Sequence, residues 1–351
     1  MKRFGNCIVA IFLGGMSMAL AEEVRMNQIQ VIGSHNSYHL PPEKELMGVI
    51  SMFSKRALEA WSYSHEPLNL QLESGVRQFE LDVYADPEGG LYSQADHPAL
   101  EEMKQPGFKV FHVPNLDFQS NHPTFKGALI AVRDWSQKYP KHVPVMILVE
   151  TKDSKEVPFA PEPVKYDREM LEELEAEILS VFDREQLITP DLVRGDSETL
   201  RDAVLKNGWP LLDEVRGKVM FCLDNEGSHR NMYLEGDPTL KNRLMFVSVD
   251  RSHPAAAFIK RNNALRSSDE IRELVAEGFI VRTRADGESV EARANDMSRA
   301  QKALASGAQF VSTDYPKPDG KIGPYYVALP EKVTARANPV SLPKGPVGEI
   351  E

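Results

Sequence analysis

Residues 77–83 read Arg77-Gln78-Phe79-Glu80-Leu81-Asp82-Val83, and this short run decides how the rest of the chain is read. Side chains two apart on a strand emerge on the same face, so Glu80 and Asp82 stand side by side. Such a pair must share a cation, share a proton or splay into solvent. Neighbouring apolar runs end in the same way: 28–34 leads into His35-Asn36-Ser37-Tyr38, 109–111 ends at His112, and 143–149 ends at Glu150. Each run delivers a polar group where its apolar character stops. Strand ends on one face of a barrel converge, which lets segments far apart in sequence build one site.

Eight apolar runs of this kind can be counted, at 28–34, 77–83, 109–113, 143–150, 218–223, 244–249, 279–283 and 309–313. Helical spacing lies between them, as in Met170, Leu171, Leu174, Ile178 and Val181, and again in Ile271, Leu274 and Val275. Nearly continuous apolar strands that alternate with helices predict a parallel sheet covered on both faces. Eight of them predict an α/β fold, a TIM-type (β/α)8 barrel. Helical crossovers are thin after the third and sixth runs, so the barrel is expected to be irregular.

Two insertions interrupt the pattern. Residues 41–65 follow the first strand and carry Leu46, Val49, Ile50, Phe53, Ala57 and Trp61 at helical spacing. A helix packed on the barrel is expected there ahead of an apolar rim that touches lipid, because the spacing is amphipathic. Residues 152–217 form an acidic, helical second insertion. Beyond Tyr326 the chain is rich in Pro and Gly, so the barrel is expected over 22–330 and an irregular tail over 331–351.

The first residues have the form of an export signal. Met1-Lys2-Arg3 is a basic start, 8–13 is a short apolar core, and Ala19-Leu20-Ala21 is an A-x-A cleavage site. Cleavage after Ala21 and a periplasmic or secreted protein are expected. Removing 1–21 takes away Lys2 and Arg3 and no acid, so the net charge moves from −11 to −13, with 39 Lys and Arg against 52 Asp and Glu. A protein so acidic does not seek nucleic acid through its overall field, and its contact with a membrane surface is transient at most. Cys7 leaves with the leader, so Cys222 remains alone, which excludes an intramolecular disulfide and a cysteine-based zinc site. A monomer is expected.

The residue types at the strand ends point to one chemistry. Asn36, Glu80, Asp82 and Glu150 make an oxygen-rich shell of three carboxylates and an amide, which suits a hard cation, Ca2+ ahead of Mg2+ and both ahead of zinc. His35 and His112 are the natural acid and base, since imidazole titrates near neutral pH. Lys152 lies two residues past Glu150 and faces the same way, where it can meet a phosphate. Arg284 and Asp286 at the end of the seventh run and Asp224 at the end of the fifth can read a polyhydroxylated headgroup; a cross-barrel ion pair is the equal alternative. Together these groups suit metal-assisted cleavage of a phosphodiester.

On these residues the chain resembles the calcium-dependent phosphatidylinositol-specific phospholipase C family of bacteria, within the barrel phosphodiesterases. The similar segments are Gly33-Ser34-His35-Asn36-Ser37-Tyr38-His39, the stretch Gln71-Leu72-Glu73-Ser74-Gly75-Val76-Arg77-Gln78-Phe79-Glu80-Leu81-Asp82-Val83, Phe111-His112, Leu148-Val149-Glu150-Thr151-Lys152 and Thr313-Asp314-Tyr315-Pro316. The likeness runs from about residue 28 to about residue 343. It implies that His35 and His112 are the acid and base, that Asn36, Glu80, Asp82 and Glu150 bind Ca2+, and that the inositol 2-hydroxyl attacks phosphorus to give a cyclic phosphate. The substrate it implies is a phospholipid or a soluble glycerophosphodiester. Metal-free relatives place an arginine where the cation sits, whereas this chain keeps carboxylates. Where a cysteine is expected in the tail the chain has Ala337, so a family disulfide is not expected here. Two other functions compete: a glycerophosphodiester phosphodiesterase, disfavoured because His-Arg is expected where His35-Asn36 stands, and an inactive headgroup-binding barrel, disfavoured by the intact histidine pair.

Overall fold

The apolar runs form strands because β-branched and aromatic residues suit a pleated, buried surface. The computed structural model describes residues 23–93, 98–345, 348 and 350–351; the leader, its cleavage after Ala21, and His97 lie outside them. The strands among the described residues are β1 (Ile29–Ser34), β2 (Gln78–Asp86), β3 (Gly107–Val110), β4 (Val145–Lys152), β5 (Leu187–Ile188), β6 (Val219–Leu223), β7 (Met245–Val247), β8 (Phe258–Lys260), β9 (Ile280–Arg284), β10 (Phe310–Thr313) and β11 (Ala335–Ala337).

From β1 the sheet runs in parallel through β2, β4, β6 and β7 on one side and through β10, β9 and β8 on the other. A parallel bridge between Ser248 and Phe258 brings the two ends together. Eight parallel strands thus curl into an α/β barrel, with β5 laid beside the lower half of β6. The closure is irregular, as expected: β1 and β2 meet at one register pair, Gly33 with Gln78, and no helix lies between β7 and β8.

The number of staves agrees with the count of apolar runs, but their identity differs at two places. The run at 109–113 is not a stave: β3 turns back antiparallel on β2, Val110 opposite Val83 and Gly107 opposite Asp86. That return carries His112 back to the level of the barrel mouth. The eighth stave is instead Phe258–Lys260, whose three residues are too short to carry a period of their own.

Helices cover the outside where side-chain caps satisfy their first amides. Thr124 caps the helix Phe125–Lys138, Asp167 caps Arg168–Leu179 and Asn263 caps Ala264–Glu277. In the insertion at 41–65, α1 (Lys44–Phe53) and α2 (Lys55–Ala60) stand after β1. Ile50 of α1 is buried and Leu46 packs on the cluster of Tyr84, Tyr92, Met103, Phe111 and Phe118. Val49, Met52 and Phe53 are 42%, 77% and 83% exposed, so the helix is apolar on both faces and only one face packs. The tail is less irregular than expected, since β11 pairs antiparallel with β1, Ala337 opposite Ile29 and Ala335 opposite Val31. Buried Arg77 stacks on Trp135 and donates from Nε to Glu351 Oε2 at 2.8 Å.

Candidate active site

At the end of β1 the backbone amide of His35 continues the ladder to Thr313 O at 3.1 Å, and Asn36 then turns the chain with a left-handed φ of 43°. Asparagine tolerates that region better than most side chains. Ser34 and Ser37 hydroxyls are linked at 2.7 Å beneath the turn. His35 Nδ1 lies 2.7 Å from Asp314 Oδ1, and Arg284 Nη1 lies 3.0 Å from His35 Nε2. Arginine carries donors only, so Nε2 accepts and the ring proton sits on Nδ1, donated to Asp314. Burial, with Arg284 adding to it, lowers the ring's pKa to about 3, so His35 is neutral. Burial alone would raise the Asp314 carboxyl, but His35 and Arg284 hold it far below the usual range. Arg284 also donates to Asp314 Oδ2 at 3.3 Å.

His112 faces the same space from the hairpin. Its Nδ1 is 2.7 Å from Asp117 Oδ2, and fully buried Asp117 also accepts from His39 Nε2 at 2.9 and 3.0 Å. Trp61 meets the His112 ring edge-on at 5.4 Å between centroids. Both histidines line one cavity of about 400 Å³, with Asn36, Trp61, Tyr63, Arg284 and Asp314. A salt bridge from Arg56 of α2 to Glu288 spans its rim.

The carboxylates form a second group, interleaved with three protein cations. Glu80 pairs with the buried Arg282, Asp82 Oδ2 lies 3.4 Å and Glu150 Oε1 3.3 Å from Lys152 Nζ, and Asp224 Oδ2 lies 2.7 Å from Lys260 Nζ. Glu80, Glu150 and Asp224 each bring an oxygen within 4.8 Å of the other two. Asp82 stands opposite Glu150 in the β2–β4 register. Burial pushes the carboxyls of Glu80 and Asp82 up to about 8, against the opposing pull of Arg282 and Lys152 respectively. Asp82 Oδ1 and Asp224 Oδ1 are buried with no hydrogen-bond partner. Oxygen-only donors with two orphaned carboxylate oxygens fit a hard dication such as Ca2+.

Three side chains expected to meet the substrate are placed differently. Lys152 lies between Asp82 and Glu150, because its neighbours in the β2–β4 register are acids. Asp224 faces Glu80 and Glu150 in place of a headgroup. Asp286 is fully buried, accepts from Thr313 Oγ1 and from Tyr325 hydroxyl at 3.2 Å, and takes the Asp314 amide at 3.0 Å. It braces the segment that carries Asp314. Arg284 alone of the four lines the histidine cavity; it pairs with Asp314 at the end of the adjacent stave, and Asp224 pairs with Lys260, so both also make ion pairs of the kind foreseen as the alternative.

Asp314, Asp117, Arg282 and Lys260 had no assigned part in the sequence reading. Arg282 was open to inference, since it lies two residues before Arg284 on β9 and shares its face. Asp117 follows His112 by five residues in a loop, with no periodicity to mark it.

A model of the Ca2+-dependent phosphoinositide phospholipase C family matches residues 24–339. No curated protein matches the chain. Among solved structures, a Ca2+-dependent phosphatidylinositol-specific phospholipase C from Streptomyces antibioticus is 18% identical, with a TM-score of 0.55 over 83% of this chain and 95% of that one. The apo form of a calcium-dependent phosphoinositol-specific phospholipase C from a Pseudomonas species is 16% identical, with a TM-score of 0.55 over 90% and 95%. The phosphatidylinositol-specific phospholipase C of Listeria monocytogenes is 11% identical, with a TM-score of 0.50 over 85% and 92%. At such identities the structural likeness speaks for the shared barrel.

Proposed function

Because the chain belongs to the Ca2+-dependent phosphoinositide phospholipase C family, and so is a phosphoric diester hydrolase, we propose that it cleaves phosphatidylinositol, or a related inositol or glycerol phosphodiester, by acid–base catalysis between His35 and His112. The observation that carries this reading is that the two imidazoles line one cavity, each backed at 2.7 Å by its own carboxylate, Asp314 or Asp117. A phosphodiester cleavage needs one group to take a proton and another to give one.

His35 has its proton on Nδ1, so its Nε2 lone pair is the base. It removes the proton of the inositol 2-hydroxyl as that oxygen bonds to phosphorus. His112, held by Asp117 through Nδ1, gives a proton from Nε2 to the glycerol oxygen as the phosphorus–oxygen bond to it breaks. The products are diacylglycerol and a cyclic inositol phosphate. Arg284 donates to the same His35 Nε2, and exchanging that contact for a phosphoryl oxygen frees the lone pair and binds the substrate at once. Asn36, Glu80, Asp82 and Glu150 would hold Ca2+, which when bound offsets negative charge on the phosphoryl oxygens.

Phe53 ends α1 one residue before Ser54, which lines the cavity, and Met52 and Phe53 are largely exposed there. This favours a lipid at a membrane surface over a fully dispersed substrate, with brief contact through the apolar end of the helix. No helix among the described residues is long and apolar enough to cross a membrane, and we take residues 1–21 as a signal that exports the protein. Release of diacylglycerol from phosphatidylinositol vesicles, followed with Ca2+ and with excess chelator, tests the reading. Activity should vanish in chelator and return with Ca2+; full turnover in chelator would exclude a catalytic cation.

A further inference from the structure

We infer that Asp224 is a further carboxylate ligand of the cation, paired with Lys260 until the cation binds; this rests on the metal reading above. Ca2+ takes six to eight oxygens at about 2.3–2.6 Å, so two ligands on opposite sides of one ion lie about 5 Å apart. The oxygens of Glu80, Glu150 and Asp224 lie within 4.8 Å of one another, which lets a single ion touch all three.

The topology explains the meeting. Asp82 is opposite Glu150 across β2 and β4, Val149 is opposite Leu223 across β4 and β6, and the Asp224 amide donates to Val149 O at 2.7 Å. Three adjacent staves therefore present carboxylates at one level, Asp82 on β2, Glu150 on β4 and Asp224 just past β6, and Glu80 lies two residues before Asp82 on the same face of β2. Asp224 is 9% exposed and its Oδ1 has no partner, like Oδ1 of Asp82 on the same level. Lys260 Nζ reaches both Oδ2 and the backbone carbonyl of Asp224 at 2.7 Å. The carbonyl contact keeps the lysine in place when the carboxylate turns to the ion, so Lys260 competes with the cation for Oδ2 without blocking Oδ1. With Asp224 the shell counts five protein residues, and bidentate carboxylates carry it past the six oxygens that Mg2+ accepts, which favours the larger Ca2+.

Calorimetric titration of CaCl2 into the metal-free full chain separates the possibilities, with wild type, E150Q, D224N and D224N/K260Q compared. The double variant keeps the local net charge of the pair, and circular dichroism checks that each variant is folded. A ligand role predicts Ca2+ affinity weakened about tenfold or more in D224N and still weak in D224N/K260Q. In a second readout, Tb3+ luminescence decay in H2O and D2O should show about one additional coordinated water in D224N. Wild-type affinity in D224N, or its return in D224N/K260Q, would mean that Asp224 only balances Lys260 and would overturn the inference while E150Q stays weak. If E150Q also binds as tightly as wild type, the cation site itself fails and not only the part given to Asp224.

Discussion

His35 and Asp314 are joined Nδ1 to Oδ1 at 2.7 Å across the seam where β1 and β10 lie side by side. Ser34 is opposite Thr313 in that register, so the histidine and the aspartate are each the first residue beyond a paired stave end. Asp286, from the neighbouring β9 side, holds the Asp314 amide from behind. The β1–β10 seam thereby fixes which nitrogen of His35 carries its proton.

Asp314→Asn tests that arrangement. An amide can donate to Nδ1, which moves the ring proton to Nε2 and removes the base while the fold and Ca2+ binding persist. We expect kcat to fall about 10²–10⁴-fold with Ca2+ affinity unchanged, and imidazole nitrogen NMR to report the changed tautomer. Turnover near wild type would show that Asp314 does not orient the base.

The two histidines should respond differently to the leaving group. His112→Gln is expected to lose about 10²–10⁴-fold on phosphatidylinositol and to recover most of it on an aryl inositol phosphate, whose phenolate leaves without a proton. His35→Gln should remain slow on both. Equal rescue of the two variants would dissolve the division into acid and base.

Acid should unfold the protein through buried neutral histidines. His35 is lowered to about 3, and His65 and His122 to about 4, in each case by burial foremost. The unfolded chain takes up these protons near pH 6.5 and the folded chain does not. Their stabilising effect is therefore complete above about 6.5 and is lost as pH falls towards 4, with a slope of up to about 4 kcal/mol per pH unit for three protons. Asp117 and Asp314, held low in the folded state, act in the same direction at still lower pH. Glu80 and Asp82, raised to about 8, and Asp286, raised to about 7, act in the opposite sense over the same range, so the histidine contribution is read by difference. Between pH 7 and 4.5 the urea midpoint of wild type should fall relative to that of H122N; parallel midpoints would contradict a buried neutral His122.

Much of this was legible in the chain, and the part that was not has physical causes. Glu80, Asp82 and Glu150 could be placed because strand alternation has a period of two and an apolar run ends visibly at a charge. Phe258–Lys260 could not, since three residues between two loops carry no periodicity, and β3 was read as a stave because an antiparallel return looks the same as a parallel stave in composition. Direction is set by the partner, not by the strand. Asp286 read as a headgroup contact or an ion-pair partner at a strand end, yet Thr313, Tyr325 and the Asp314 amide satisfy it in the interior. The pairing of Arg282, Lys152 and Lys260 with the acids was hidden for the same reason, as cross-strand pairing is decided by register.

The exposed end of α1 predicts a split between substrates. Replacing Met52 and Phe53 with Ser should weaken binding to phosphatidylinositol vesicles about tenfold or more, given about 1.5–3 kcal/mol for burying each side chain. Activity on soluble glycerophosphoinositol should not change. Equal loss on both would place these residues in folding and not in contact with lipid.

The central claim is that the substrate's own hydroxyl is the nucleophile, a choice favoured by proximity over a free water. Phosphorus NMR of an early time point with phosphatidylinositol and Ca2+ addresses it most directly. A five-membered cyclic inositol phosphate should appear before any monoester, and an analogue lacking the 2-hydroxyl should stay intact. Monoester as the first product, or cleavage of the analogue or of glycerophosphocholine at a comparable rate, would contradict the account and point to water as the nucleophile.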